Sequence, residues 1–126
     1  MMERKIVLAI DDNPADLNTL QGILASKYIF QKARSASGAL ASLNSSRADV
    51  ILLDVEVPNI SGFEFLRDIR KIPSYMNIPV IIVSSKTGKD FFDAAKNSSA
   101  FDILSKPVMP EKLIQTIEKA IDASVA

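Results

Sequence analysis

The chain has 126 residues, 48% of them apolar, which suits one domain with one substantial core and leaves no room for a second. Lysine plus arginine equals aspartate plus glutamate at 15 each, so the basic excess of a nucleic-acid binder is absent and direct DNA or RNA contact is not expected. Cysteine and histidine do not occur, which excludes disulfides, thiolate or imidazole metal ligands, cysteine nucleophiles and a Ser-His-Asp triad; any metal must be held by oxygen.

The first predicted element is a continuous apolar strand over residues 5–10, ending in two acids, Asp11 and Asp12. Its apolar run is too short for a signal peptide or a membrane span, so we expect a cytoplasmic protein with no membrane insertion. Asn13 is placed to cap a helix starting at Pro14, where the missing N–H costs nothing, and Leu17, Leu20, Ile23 and Leu24 recur at helical spacing. Gly22 weakens that helix by up to ~1 kcal/mol. Residues 28–33 read as a half-polar strand and 37–43 as a short helix of small residues.

Residues 50–62, VILLDVEVPNISG, organise the rest. Four apolar residues suit a strand buried on both faces of a parallel sheet, and the run stops at Asp54. A lone buried charge is costly, so Asp54 belongs at the strand's exit, facing solvent, a cation or both. Pro58, Asn59 and Gly62 mark a loop, and Ser61 with Glu64 has the spacing of a capping box. A helix over 62–71 then presents Phe65, Leu66 and Ile69 on one face.

Residues 79–83 form another apolar strand, ending in Ser84 and Ser85. Residues 90–97 are helical with a thin apolar face of Phe91, Ala94 and Ala95, so this helix should pack lightly and shift easily. Residues 101–104 make a fifth strand, ending at Ser105, Lys106 and Pro107, and the last helix starts at Pro110 with Leu113, Ile114, Ile117, Ala120 and Ile121 in period.

Fivefold alternation of strand and helix predicts an α/β fold, a parallel sheet covered by five helices on both faces. The apolar first, third and fourth strands suit the centre, and the second and fifth, with Gln31, Lys32 and Asp102, suit the edges; the order 2-1-3-4-5 is consistent with this. The crevice then lies at the C-terminal strand ends, where Asp11, Asp12, Asp54, Ser84 and Lys106 share one rim. Crowded carboxylates call for a raised pKa or a bound cation, and oxygen-only donors favour Mg²⁺, with Ca²⁺ second. Lys106 and Ser84 are placed to hold an anion beside it. Each residue has a plainer reading alone, Lys106 as a salt-bridge partner and Ser84 as a strand-end cap. Together they supply the parts for phosphoryl transfer onto a carboxylate.

With these motifs in order, the acidic pair Asp11 and Asp12, Asp54 through Pro58 to Gly62, the Ser84 hydroxyl, and Lys106-Pro107, the chain resembles a receiver domain of the two-component response regulators over nearly its whole length. The resemblance implies a single receiver domain over residues 1–126 with a doubly wound, flavodoxin-like sheet. It implies Asp54 as phosphoacceptor for a sensor histidine kinase or phosphotransfer protein, switching binding to a downstream protein target or effector domain. It further implies Mg²⁺ held by Asp12, Asp54 and the main-chain carbonyl of Glu56, with Asp11 acting largely through water. Lys106 and Ser84 would contact the phosphoryl oxygens, and the Lys106-Pro107 bond would be cis.

The chain departs from the family pattern at Val57, where methionine is usual, and at Ile103, where an aromatic is usual; Phe101 shares a strand face with Ile103 and is a candidate substitute. Glu56 and Lys86 are placed to close a charged lid over the site. The alternatives are a receiver-like interaction module not regulated by phosphorylation, and an aspartate-nucleophile phosphatase of the haloacid-dehalogenase type. Against the phosphatase stands Asp54 on the third strand, where that family puts its nucleophile on the first.

Overall fold

The computed structural model describes residues 4–56 and 61–124, so the expectations for Val57, Pro58 and Asn59 lie outside the described residues. Strands β1 (Ile6–Ile10), β2 (Ile29–Ala33), β3 (Val50–Leu53), β4 (Val80–Ser84) and β5 (Asp102–Ser105) alternate with helices α1 (Pro14–Leu24), α2 (Ala36–Ser45), α3 (Gly62–Ile69), α4 (Lys89–Asn97) and α5 (Pro110–Ser124). The sheet is parallel throughout, in the order β2-β1-β3-β4-β5. The polar strands are the edges, as their composition predicts.

Strand alternation sorts the core into two layers. Val7, Ala9, Val50, Leu52, Ile81 and Val83 pack against Leu17, Leu20 and Leu24 of α1 and Leu113, Ile117 and Ala120 of α5. The intervening residues Leu8, Ile10, Ile51 and Leu53 pack against Ala39 and Leu43 of α2 and Phe65, Leu66 and Ile69 of α3. Covering both faces explains why β1, β3 and β4 carry almost no polar residues.

Local signals place the helix starts. The Asn13 side chain accepts from the N–H groups of Ala15 and Asp16, with Pro14 opening α1. Ser61 caps α3, but its hydroxyl accepts from Phe63, one residue earlier than a capping box would have it. Gly62 is the first residue of that helix, as the reading of a helix over 62–71 has it, and its N–H donates to Val55 O at 2.9 Å.

α4 is the lightly held helix. It buries only Ala95, its cap Gly88 makes no side-chain hydrogen bond, and φ +108° at Gly88 is a backbone region that side-chain-bearing residues avoid. Phe91 and Phe92 are half-buried while Ala94 is exposed, so the apolar face differs from the predicted one by Phe92 in place of Ala94. Phe91 meets Phe63 of α3 at 6.3 Å between ring centres, over a small cluster of Val55, Ile82 and Ala95.

Strand register levels the site. Ile10 pairs with Leu53 and Leu53 with Ile82, so Asp11 and Asp54 leave neighbouring strands side by side. Ser84 pairs with Ser105 one turn of pleat further along β4, which delivers Lys106 to the same rim.

Candidate phosphoryl-acceptor site

Asp54 is the residue after β3, 8% exposed, and its N–H donates to Ile10 O, which ties it to β1. Its Oδ1 accepts from the Glu56 N–H at 2.9 Å. Asp11, the residue after β1, is 2% exposed; its N–H donates to Ala33 O and its Oδ1 accepts from the Asn13 N–H. One oxygen of each acid is thus fixed by backbone, and the other faces the crevice.

Lys106 fills the space between them. Its main-chain N–H donates to Ser84 O at 3.0 Å, and the peptide bond to Pro107 is cis, as the resemblance implied. Its Nζ donates to Asp11 Oδ2 at 2.7 Å, to Asp54 Oδ2 at 2.8 Å and to Asp16 Oδ2 at 2.8 Å. A lysine ammonium has three N–H donors, and each finds a carboxylate.

The family model for the response regulator receiver domain matches residues 7–118. The chain belongs to the receiver domain family. Protein PilH of Pseudomonas aeruginosa is 32% identical over 117 residues, covering 91% of this chain and 96% of PilH. Longer curated relatives share the domain over only 20–26% of their own length. Among solved structures, a CheY-like receiver domain protein from Methanospirillum hungatei superposes with a TM-score of 0.87 at 25% identity over 98% of both chains. The receiver domain of a sensor histidine kinase from Pseudomonas aeruginosa shares the fold at a TM-score of 0.87 and 22% identity, covering 95% of this chain and 99% of its own; it carries a magnesium ion in its active site cleft. The receiver family is a signalling family of two-component systems, whose members interact with histidine kinases and effector domains.

The electrostatics of this receiver follow from burial and pairing. Burial raises the Asp11 pKa from its ordinary value, only partly offset by its bonds to Lys106 and Asn13. Burial alone would lower the Lys106 pKa, but hydrogen bonds to Asp11, Asp16 and Asp54 outweigh it and push it up, so the ammonium stays charged. Every donor on the rim is an oxygen, the ligand class of Mg²⁺, which takes one or two carboxylates and keeps several waters. Among the described residues no three acids are arranged to hold a metal ion; the point where Asp11, Asp16 and Asp54 meet is taken by Lys106 Nζ. In its chemistry, carboxylate and carbonyl oxygens only, the donor set fits that ion.

The remaining expected residues lie around this centre. Ser84 is buried at the end of β4, and its Oγ accepts from the Lys86 N–H at 3.1 Å. The Asp12 side chain is exposed, and its carbonyl accepts from Arg34. Glu56 and Lys86 are both exposed, and no ion pair joins them among the described residues; solvation and side-chain freedom outweigh an exposed pair, and the expected lid is not formed. Ile103 is half-buried on the cluster under α4, whereas Phe101 precedes β5 and is 41% exposed. Asp16 was not foreseen. In sequence it is merely an acid in a helix's first turn, a position that the helix dipole favours anyway, and only the fold turns that helix end toward Lys106.

No helix among the described residues is long and apolar enough to cross a membrane.

Proposed function

We propose that this receiver is cytoplasmic and accepts a phosphoryl group on Asp54 from the phosphohistidine of a sensor histidine kinase or phosphotransfer protein. Its phosphorylated state then changes binding to a downstream protein target or effector domain. The observation that carries this reading is the Lys106 ammonium 2.8 Å from Asp54 Oδ2 at the mouth of the central strands.

In the transfer, an Asp54 carboxylate oxygen attacks phosphorus, the bond from phosphorus to the donor nitrogen breaks, and the leaving imidazole keeps the electron pair. Bonds to the Glu56 N–H and Lys106 Nζ hold the carboxylate in a fixed plane before the donor arrives. Lys106 offsets the repulsion between the acids and an incoming phosphoryl dianion. The Ser84 hydroxyl sits at the neighbouring strand end as a donor to a phosphoryl oxygen. Asp12, Asp54 and the Glu56 carbonyl would hold Mg²⁺, with Asp11 nearby, and the ion would supply further charge neutralisation.

Incubation with acetyl phosphate and Mg²⁺ should add one phosphoryl group per chain by intact mass, and p-nitrophenyl phosphate should not be turned over. Multiple turnover of p-nitrophenyl phosphate would instead favour an aspartate-nucleophile phosphatase. No uptake would favour an interaction module that is not phosphorylated.

With Ile103 in place of an aromatic, the switch is carried by residues 84–89 and α4, whose hold on the core is the buried Ala95 and the half-buried Phe91. Amide exchange should therefore change on phosphorylation chiefly across residues 84–97. Equal protection there in both forms would contradict this.

A further inference from the structure

The third partner of Lys106 has no place in the mechanism above. Asp16 stands in the first turn of α1, its backbone anchored by the Asn13 cap, and its side chain is 39% exposed against 3% for Asp11 and 11% for Asp54. Lys106 comes instead from the segment after β5, on a flexible four-carbon stem. Beside the Asp16–Lys106 contact lies a cavity of about 130 Å³, walled by Leu20, Val83 and Val108, into which the stem can fall if nothing holds its tip.

The three bonds of the ammonium have different fates in the reaction. Asp54 is the group that changes chemically, so its bond must open or be handed to a phosphoryl oxygen. Asp11 and Asp16 remain acids throughout. Two fixed legs determine where the third N–H points, and here it points at Asp54 Oδ2.

We propose that Asp16 is a positioning residue for phosphoryl transfer, a second fixed acceptor that, with Asp11, aims the Lys106 ammonium at Asp54 and keeps its stem out of the adjoining cavity. This rests on Asp54 being the acceptor. Asp16 acts through Lys106 and touches neither donor nor reacting atoms. What matters is the accepting oxygen at a set place more than the negative charge, because the site already holds more carboxylates than cations.

The test uses the full chain and the variants Asp16→Ala and Asp16→Asn, each checked for cooperative unfolding. With acetyl phosphate and Mg²⁺, Asp16→Ala should label about threefold to tenfold more slowly, the loss expected for one charge-assisted bond that is half open to solvent. Asp16→Asn keeps an amide oxygen as acceptor and should restore most of the rate. A second readout needs no donor: ¹³C relaxation at Lys106 Cε should report an ordered side chain in the wild type, a mobile one in Asp16→Ala, and recovered order in Asp16→Asn. Unchanged order in Asp16→Ala would overturn the proposal, as would an alanine variant that labels as fast as wild type or an asparagine variant as slow as alanine. A wild type that takes up no phosphoryl group would sink the functional reading alone, since the order measurement judges the positioning of Lys106 by itself.

Discussion

Replacing Lys106 with methionine should destabilise the protein by about 3 kcal/mol at neutral pH, because it removes the one cation compensating two buried carboxylates while keeping most of the stem's packing. Asp11 and Asp54 would then face each other across the space the ammonium filled, at 2% and 8% exposure. Asp11, its pKa already lifted by burial, is the acid that takes up a proton to relieve the repulsion. The variant should therefore lose less stability at mildly acidic pH than at neutral pH. In the wild type the sign runs the other way for the lysine. Its folded pKa is raised, so its contribution is fully present below the ordinary lysine value near ~10.4 and is lost only as pH climbs through the folded value. Urea denaturation with and without Mg²⁺ checks the account. Mg²⁺ should recover more stability in the methionine variant than in the wild type, since a divalent cation binds the folded form's uncompensated acids. Equal stability of variant and wild type at neutral pH, without metal, would show that the acids do not depend on Lys106.

Gly62→Ala should cost about 3 kcal/mol, the upper end for overpacking a site that cannot give. A Cβ at residue 62 would lie 2.3 Å from Val55 Cα and 3.0 Å from Val55 C. These are backbone atoms of the residue next to Asp54, so no rotamer change relieves the clash, and α3 must back away from β3. The Gly62 N–H bond to Val55 O would stretch with it. Phosphorylation should slow along with the loss of stability, because the displaced segment carries Asp54 and Glu56. Gly22→Ala is the internal control. Nothing lies within 4 Å of a Cβ there, so in the last turn of α1 the same substitution should stabilise by up to about 0.5 kcal/mol, the low end for a helix glycine. Thermal or urea unfolding of both variants measures the contrast; a neutral Gly62→Ala would mean that the start of α3 is held less tightly against Val55 than its geometry implies.

The fold was legible because each strand and helix carries its own period. The apolar run at residues 50–53 is β3 itself, and Asn13 and Pro14 open α1 where their chemistry requires. Which strands lie at the edges followed from where polar residues are tolerated, a consequence of burying the central ones on both faces, and the full order is consistent with that division without following from it. The site was legible where strands end in acids or in Lys106, since a charge after an apolar run has few places to go. What escaped was what depends on close approach in three dimensions. Gly62 reads as the glycine where the loop turns into a helix, and only its contact with the Val55 backbone reveals that the position excludes a Cβ. Asp16 carries no mark that separates it from any acid favoured by a helix N-terminus. Glu56 and Lys86 have complementary charges at matching offsets, but sequence spacing does not weigh solvation, and both side chains remain in water.

The central claim is that Asp54 receives the phosphoryl group, and the most direct measurement is intact mass followed by peptide mapping of wild type and Asp54→Ala after acetyl phosphate treatment in Mg²⁺. The account predicts one added group in the wild type, located to the peptide that contains Asp54, and none in a folded Asp54→Ala. Undiminished uptake by Asp54→Ala, or a label mapping to another residue of the wild type, would contradict it.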